Sequence, residues 1–358
     1  MKYSGSATLQ ENVPLAPLTT LGVGGPARFL IRVTEEKQVP EALEFAALGR
    51  WPVFVLGGGS NVLVSDRGFP GVVIQMALRG IQAGNISSGE IEAAAGEEWD
   101  PFVAWCLTRN LAGIECLSGI PGTVGGTPVQ NVGAYGQEVS ATIRTVRAFD
   151  RNSSRFAELS NEDCGFSYRS SIFNRESRDR YIVLSVTFAL SAGGSPCIRY
   201  ADLERFFAGK TNLPALAEVR EAVLKIRAAK GMVLTPGDPD NRSAGSFFKN
   251  PIVNEQAAQL VEDNARACGR LAKAESLPRY TAGEGMVKLP AAWLIERAGF
   301  SKGYGRGRAG LSGKHALAIV NRGGASASDI IDLMREIQSG VKTTFGIDLL
   351  PEPVLVGF

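Results

Sequence analysis

The residues best suited to chemistry in this chain are glycines in two segments. Val53-Phe54-Val55-Leu56 runs directly into Gly57-Gly58-Gly59-Ser60-Asn61. Successive glycines at a strand end let backbone N–H groups converge on an anion, because no Cβ keeps phosphate oxygens away. Ser60 and Asn61 offer side-chain donors, although an ordinary tight turn would account for the same run. The second segment, Leu117-Ser118-Gly119-Ile120-Pro121-Gly122-Thr123-Val124-Gly125-Gly126, is followed by Asn131-Val132-Gly133-Ala134-Tyr135-Gly136. Glycines alternating with small and apolar residues suit main chain laid against a flat ligand and its diphosphate. Two such loops in one half of a chain suggest a dinucleotide. A third run, Gly22-Val23-Gly24-Gly25-Pro26-Ala27, matches G-x-G-x-x-A, but it precedes a strand pattern with no helix after it, so a turn is expected. No G-x-x-x-x-G-K-[ST] loop occurs, which argues against phosphoryl transfer of the P-loop kind.

Composition removes other chemistries. His315 is the single histidine, and Cys106, Cys116, Cys164, Cys197 and Cys268 are scattered without metal-ligand spacing, so no metal site is expected. No G-x-S-x-G elbow supplies a serine for a triad with His315. The 38 basic and 36 acidic residues leave a net charge of +2, too balanced for binding nucleic acid or a membrane surface by bulk charge. An odd number of scattered cysteines, no apolar N-terminal leader and no run of roughly 20 apolar residues predict a soluble cytoplasmic protein.

The elements that must hold these loops follow from periodicity. Apolar, β-branched runs predict strands at Ala27 to Val33, Pro52 to Leu56, Gly71 to Met76, Thr145 to Phe149 and Tyr181 to Leu190, with a helix over Thr34 to Leu48. Asp100-Pro101 starts another helix that ends near Gly113. Leu216, Val219, Val223 and Ile226 fall on one face of a helix within Pro214 to Lys230. The loop Thr235 to Asp240 marks a boundary. Beyond it, helical patterns cover Glu255 to Cys268, Leu289 to Ala298 and Ser328 to Val341, with a strand at Ala316 to Asn321. The 358 residues thus read as α+β with two or three lobes and no internal repeat.

Three further segments, in order with the glycine loops, give the chain its resemblance: Cys164-Gly165-Phe166-Ser167-Tyr168-Arg169-Ser170-Ser171-Ile172-Phe173, Ser243-Ala244-Gly245-Ser246-Phe247-Phe248-Lys249-Asn250-Pro251 and Pro351-Glu352-Pro353. Together they resemble the UDP-N-acetylenolpyruvoylglucosamine reductase (MurB) family over nearly the whole length. Ile198-Arg199-Tyr200-Ala201-Asp202-Leu203 is similar to the tyrosine-bearing loop of one of its two subtypes, in which the tyrosine covers the substrate diphosphate. The resemblance implies a two-lobed FAD-binding domain of the vanillyl-alcohol-oxidase (PCMH) type plus a C-terminal α+β substrate-binding domain. Residues 1–80 with 345–358 would form the first lobe, 81–232 the second and 233–344 the substrate domain.

It further implies non-covalent FAD, NADPH as co-substrate and a UDP-sugar substrate. The reaction would reduce the enolpyruvyl ether of UDP-N-acetylglucosamine to UDP-N-acetylmuramate in peptidoglycan precursor synthesis, on a protein expected to be a monomer. By similarity, Gly57, Gly58, Gly59, Ser60, Asn61, Ser118, Gly119, Pro121, Gly122, Gly125, Gly126, Asn131, Gly133, Ala134 and Tyr135 bind FAD. Ser246 is implied as proton donor, with Arg169 and Glu352 stabilising the enol form. Tyr168, Tyr200, Lys230 and Asn250 are implied to contact substrate. In residue terms, a guanidinium can grip a carboxylate with two parallel hydrogen bonds, and a hydroxyl is acid enough for a very basic carbanion. Arg169 also lies in an ordinary arginine-rich stretch with Arg175, Arg178 and Arg180. An alternative is another flavin oxidase or dehydrogenase of this fold acting on a sugar or alcohol; a third reading is a nucleotide-sugar sensor. No role is assigned to His315, Arg306 or Arg308.

Overall fold

The computed structural model describes residues 3–210, 212–235, 237–305 and 307–358. The chain divides into two compact units, Met1–Val13 with Pro26–Gly59 and Phe69–Val233, and Pro14–Gly25 with Ser60–Gly68 and Leu234–Phe358. Arg306 lies outside the described residues.

The first unit is built on two larger sheets. One has the order Thr8–Pro14, Pro26–Val33, Phe69–Met76, Val53–Leu56, and its last three strands are parallel. Their continuous runs of branched aliphatic residues suit a strand covered on both faces. The helix Gln38–Gly49 covers this sheet with Val39, Ala42, Phe45 and Ala46, which join Phe29, Ile31, Val33, Val72 and Ile74 in the core. The Phe29 and Phe45 rings meet edge to face at 5.2 Å, a favoured aromatic arrangement.

The other sheet is antiparallel, in the order Arg155–Ser160, Ile143–Asp150, Tyr181–Ala189, Glu90–Ala94, Ile81–Ala83. The predicted strands and helices form with shifted ends: the helix expected from Thr34 starts at Gln38, and the strand expected at Ala316 to Asn321 is Ile319–Asn321. The helix expected to run from Asp100 to near Gly113 ends at Leu107, because Leu111–Ala112 pairs as a strand with Ser191–Ala192 instead. The Gln38 side chain accepts from the Thr34 and Glu35 amides and so fixes where that helix begins.

In the second unit Val62–Val64 pairs in parallel with Val354–Val356. The helix Ala327–Phe345 buries Ile330, Ile331, Leu333, Met334, Ile337, Val341 and Phe345 against Phe247, Leu294, Ile295 and Ile319. Ser326 caps it by accepting from the Asp329 amide, while the Asp66 carboxylate takes the Ala327 and Ser328 amides.

Candidate active site

Gly57 to Gly59 meet the second glycine loop within the first unit. A Cβ on Gly58 would stand 2.7 Å from the Gly122 Cα, so main chain approaches main chain with no room for a side chain. Gly125 is as tightly enclosed by Ala95, whereas a Cβ on Gly126 would meet nothing within 4 Å, which leaves that side of the loop open to a ligand.

The helix Trp99–Leu107 buckles the second loop at several points. Trp99 is fully buried; its indole N–H donates to the Leu117 carbonyl at 3.0 Å and its amide to the Gly122 carbonyl at 3.0 Å. Asp100 accepts the Gly119 amide at 2.6 Å and is gripped by both Arg220 amino groups at 2.5 and 2.8 Å. Burial acts to raise the Asp100 carboxyl, but Arg220, the Gly119 N–H and Arg227 together hold it below the usual carboxylate range.

Sequence reasoning did not single out Arg227. It is only 6% exposed and lies against Gly119; its Nη2 donates to the Met232 carbonyl, while its Nε has no hydrogen-bond partner. Burial pushes this guanidinium below its ordinary value, opposed by Tyr135 and Asp100. A buried cation with an unused donor beside a glycine loop suits an anionic, phosphate-bearing group. In the sequence Arg227 is one of several cations on an amphipathic helix, so only its burial distinguishes it.

The remaining loop residues divide by role. Ser118 is fully buried and its hydroxyl donates to the Glu115 carbonyl. Asn131, with a left-handed φ of 47°, donates to Glu138 and to the Ser167 carbonyl and accepts from Ser140. These two side chains shape the loop from within. Tyr135, also left-handed, is 8% exposed, and burial pushes its hydroxyl up to about 12.

Tyr168 and Arg169 occupy the tip of a tight hairpin closed by paired backbone bonds between Ser167 and Ser170. Arg169 has φ 52°, an uncommon conformation for a residue with a side chain and one that clusters at functional sites. Its Nη2 donates to the Gly133 carbonyl at 2.7 Å, which brings the arginine to the second glycine loop. The Tyr200 ring stands edge-on to Tyr135 with centroids 5.4 Å apart; Lys230 pairs with Asp202 at 2.7 Å and lies over the Tyr135 ring.

The second unit brings Ser246 and Glu352 together through backbone pairing. The Glu352 amide donates to the Phe247 carbonyl at 2.8 Å, and Phe248 bridges Pro351. Phe247 and Phe248, 0% and 2% exposed, pin the segment into the core and leave Ser246 half-buried. Asn61 joins the same group: its carbonyl accepts the Val354 amide and its Nδ2 donates to the Glu352 carbonyl at 3.3 Å. Asn250 uses its Oδ1 on the Ala291 amide at the start of a helix. His315 donates its amide to the Ser312 hydroxyl in the turn before Ile319–Asn321. Gly22 to Gly25, expected as a turn, are irregular chain just after the turn at Thr20 and Leu21, and Gly24 and Gly25 pack against Val64 to Gly68; the carbonyls of Gly303, Tyr304 and Gly305 converge on Arg322, which gives that glycine-rich run a structural use.

Residues 27–155 match the model of an FAD-binding domain, which makes the first unit's architecture the two-lobed flavin-binding fold of the vanillyl-alcohol-oxidase type, in an α+β chain. Residues 238–356 match the C-terminal domain of UDP-N-acetylenolpyruvoylglucosamine reductase. The UDP-N-acetylenolpyruvoylglucosamine reductase of Thermobifida fusca is 47% identical over 356 residues, covering 98% of this chain and 99% of the relative. That of Streptomyces coelicolor is 48% identical over 350 residues, covering 97% and 90%. The crystal structure of the enzyme from Thermus caldophilus superposes with a TM-score of 0.65 at 27% identity, covering 98% of both chains. The chain belongs to the UDP-N-acetylenolpyruvoylglucosamine reductase family and is an FAD-containing oxidoreductase. The open side at Gly126 and the buried Arg227 fit that cofactor.

Proposed function

We propose that the chain works as this family's reductase with the residues singled out above in the roles their placement supports. It reduces the enolpyruvyl ether of UDP-N-acetylglucosamine to UDP-N-acetylmuramate, with FAD as cofactor and NADPH as reductant, in peptidoglycan precursor synthesis. The observation that carries this is the backbone-to-backbone approach of Gly58 to Gly122, on a loop whose Gly119 lies against the buried Arg227. When bound, FAD supplies the hydride chemistry that no side chain can.

Reduction adds a hydride at C3 of the enolpyruvyl group and a proton at C2, and between the two events charge builds on the carboxylate. The Arg169 guanidinium holds that carboxylate and stabilises the charge, with Glu352 assisting. Ser246 delivers the proton from its hydroxyl. Tyr168, Tyr200 and Lys230 contact the substrate, Lys230 being aimed by Asp202, and Asn250 adds its amide nitrogen. The loops Gly57–Asn61, Ser118–Gly126 and Asn131–Tyr135 hold FAD, with Ser118 and Asn131 acting through loop shape.

The two larger sheets of the first unit support cofactor lobes of residues 1–80 with 345–358 and of 81–232, with 233–344 serving substrate; the pairing of Val354–Val356 with Val62–Val64 ties the chain end to the 1–80 segment. The protein acts as a monomer in the cytoplasm, the compartment being supported by its five free cysteines. Purified protein should be yellow and should oxidise NADPH when the enolpyruvyl UDP-sugar is added. A colourless protein, or one that oxidises NADPH only with oxygen or an alcohol, would overturn the assignment.

A further inference from the structure

Glu115 is a fully buried carboxylate that the proposed chemistry does not use. It accepts three N–H donors: the Gly113 amide at 2.7 Å on one oxygen, and the Gln137 side chain and the Cys197 amide, both at 2.8 Å, on the other. Gln137 in turn accepts the Cys116 amide at 2.7 Å. The Cys116 thiol donates to the Cys197 carbonyl at 3.2 Å. Burial pushes this thiol well above its ordinary range, which keeps the proton that the bond needs. Both main-chain polar groups of Cys197 are therefore held by two consecutive residues.

This arrangement connects two aromatic rings. Cys197 precedes Tyr200 by three residues, in a stretch from 195 to 199 that forms neither helix nor strand. Gln137 follows Tyr135 by two residues, and the rings of Tyr135 and Tyr200 meet edge to face. One oxygen of Glu115 thus fixes both ring-bearing segments at once. A carboxylate is what the position requires, since donors arrive on both oxygens, and an amide could keep Gln137 and Cys197 on its one oxygen only by turning its NH2 against the Gly113 N–H.

We propose that Glu115 is a positioning residue for the reaction, acting through Tyr200: it holds the 195–200 stretch so that the Tyr200 ring stays over Tyr135, and thereby sets the affinity for the UDP-sugar. This rests on the reading of Tyr200 as a substrate contact.

The test compares holoenzymes carrying E115A, E115Q, C116A, C116S and Y200A by hydrogen exchange and by steady-state kinetics with the enolpyruvyl UDP-sugar. In E115A, which removes both acceptor oxygens, amides in 195–206 should exchange faster by about tenfold, the scale of one lost buried hydrogen bond, while the strands 143–150 and 181–189 keep wild-type rates; E115Q, whose one oxygen can still accept from Gln137 and Cys197, should fall between E115A and wild type. KM for the UDP-sugar should rise by a similar factor with kcat little changed. C116A should move both readouts in the same direction and C116S, which restores a donor, should return them toward wild type. The E115A/Y200A double variant should have the KM of Y200A alone. Unchanged exchange in 195–206, faster exchange throughout the first unit, or a fall in kcat at constant KM would overturn the proposal. So would a loosened 195–206 stretch with normal KM, if Y200A itself raises KM. If Y200A also leaves KM unchanged, the reading of Tyr200 falls and the anchoring by Glu115 stands.

Discussion

Ser246 sits between Gly245, whose φ is 70°, and the fully buried Phe247, so its backbone position is fixed from both sides. Replacing its hydroxyl should spare the first half-reaction and impair the second. In Ser246→Ala, stopped-flow reduction of the flavin by NADPH should proceed as in wild type, while reoxidation by the enolpyruvyl substrate slows by roughly 10²–10⁴-fold, the usual contribution of a general acid. Equal loss in both half-reactions would remove Ser246 from that role. Arg169→Lys keeps a charge but loses the planar fork, and should lower kcat by about 10²–10³-fold without a change in melting temperature. A variant with near wild-type turnover would show that Arg169 grips only the Gly133 carbonyl. Arg227 and Glu115 belong to this scale too, yet neither stands out in the sequence, because burial and the convergence of distant N–H donors give them their importance.

At the scale of elements, the start of the helix Trp99–Leu107 acts as the clasp of the second glycine loop. The sequence marks Asp100-Pro101 as a helix start, and the helix is there, but the Asp100 carboxylate serves Gly119 and Arg220 from other segments. Its carboxyl is held below the ordinary value of about 3.9. A depressed carboxyl contributes stability that is present above the unfolded-state value and lost as pH falls through the folded-state value. Chemical denaturation between pH 7 and pH 2 should therefore show wild type losing stability below about pH 4. Asp100→Asn should be less stable at pH 7 and lose less on acidification; parallel curves for the two proteins would contradict the clasp. In the second unit, Ser326→Ala removes a cap from a 19-residue helix and should cost about 1 kcal/mol in urea melts, with activity retained.

For the whole molecule, the bound cofactor should act as part of the fold. A ligand that binds only the native state stabilises it by about 2.7 kcal/mol at a hundredfold excess over its dissociation constant. Stripping the flavin should lower the melting temperature, and adding FAD back should restore it in a concentration-dependent way. A melting temperature indifferent to FAD would count against the loops Gly57–Asn61 and Ser118–Tyr135 as its site. Gel filtration of the holoenzyme checks the monomer; elution as a stable dimer would overturn it.

The glycine loops, the strands around Phe29 and Val73 and the helix buried through Ile330 and Ile337 were all legible in the sequence, because backbone approach and amphipathic periodicity leave local patterns. So was the family, through motifs that keep residue type and order along the chain. What the sequence could not express is which distant groups meet. The approach of Gly58 to Gly122, the hold of Asn61 on Glu352 across 291 positions, and the bonds from Glu115 to Gln137 and Cys197 have no local signature. Burial likewise arises only when elements pack, which is why Arg227 becomes a candidate phosphate ligand, and the Ser118 hydroxyl a support within its loop, only once the tertiary structure is formed.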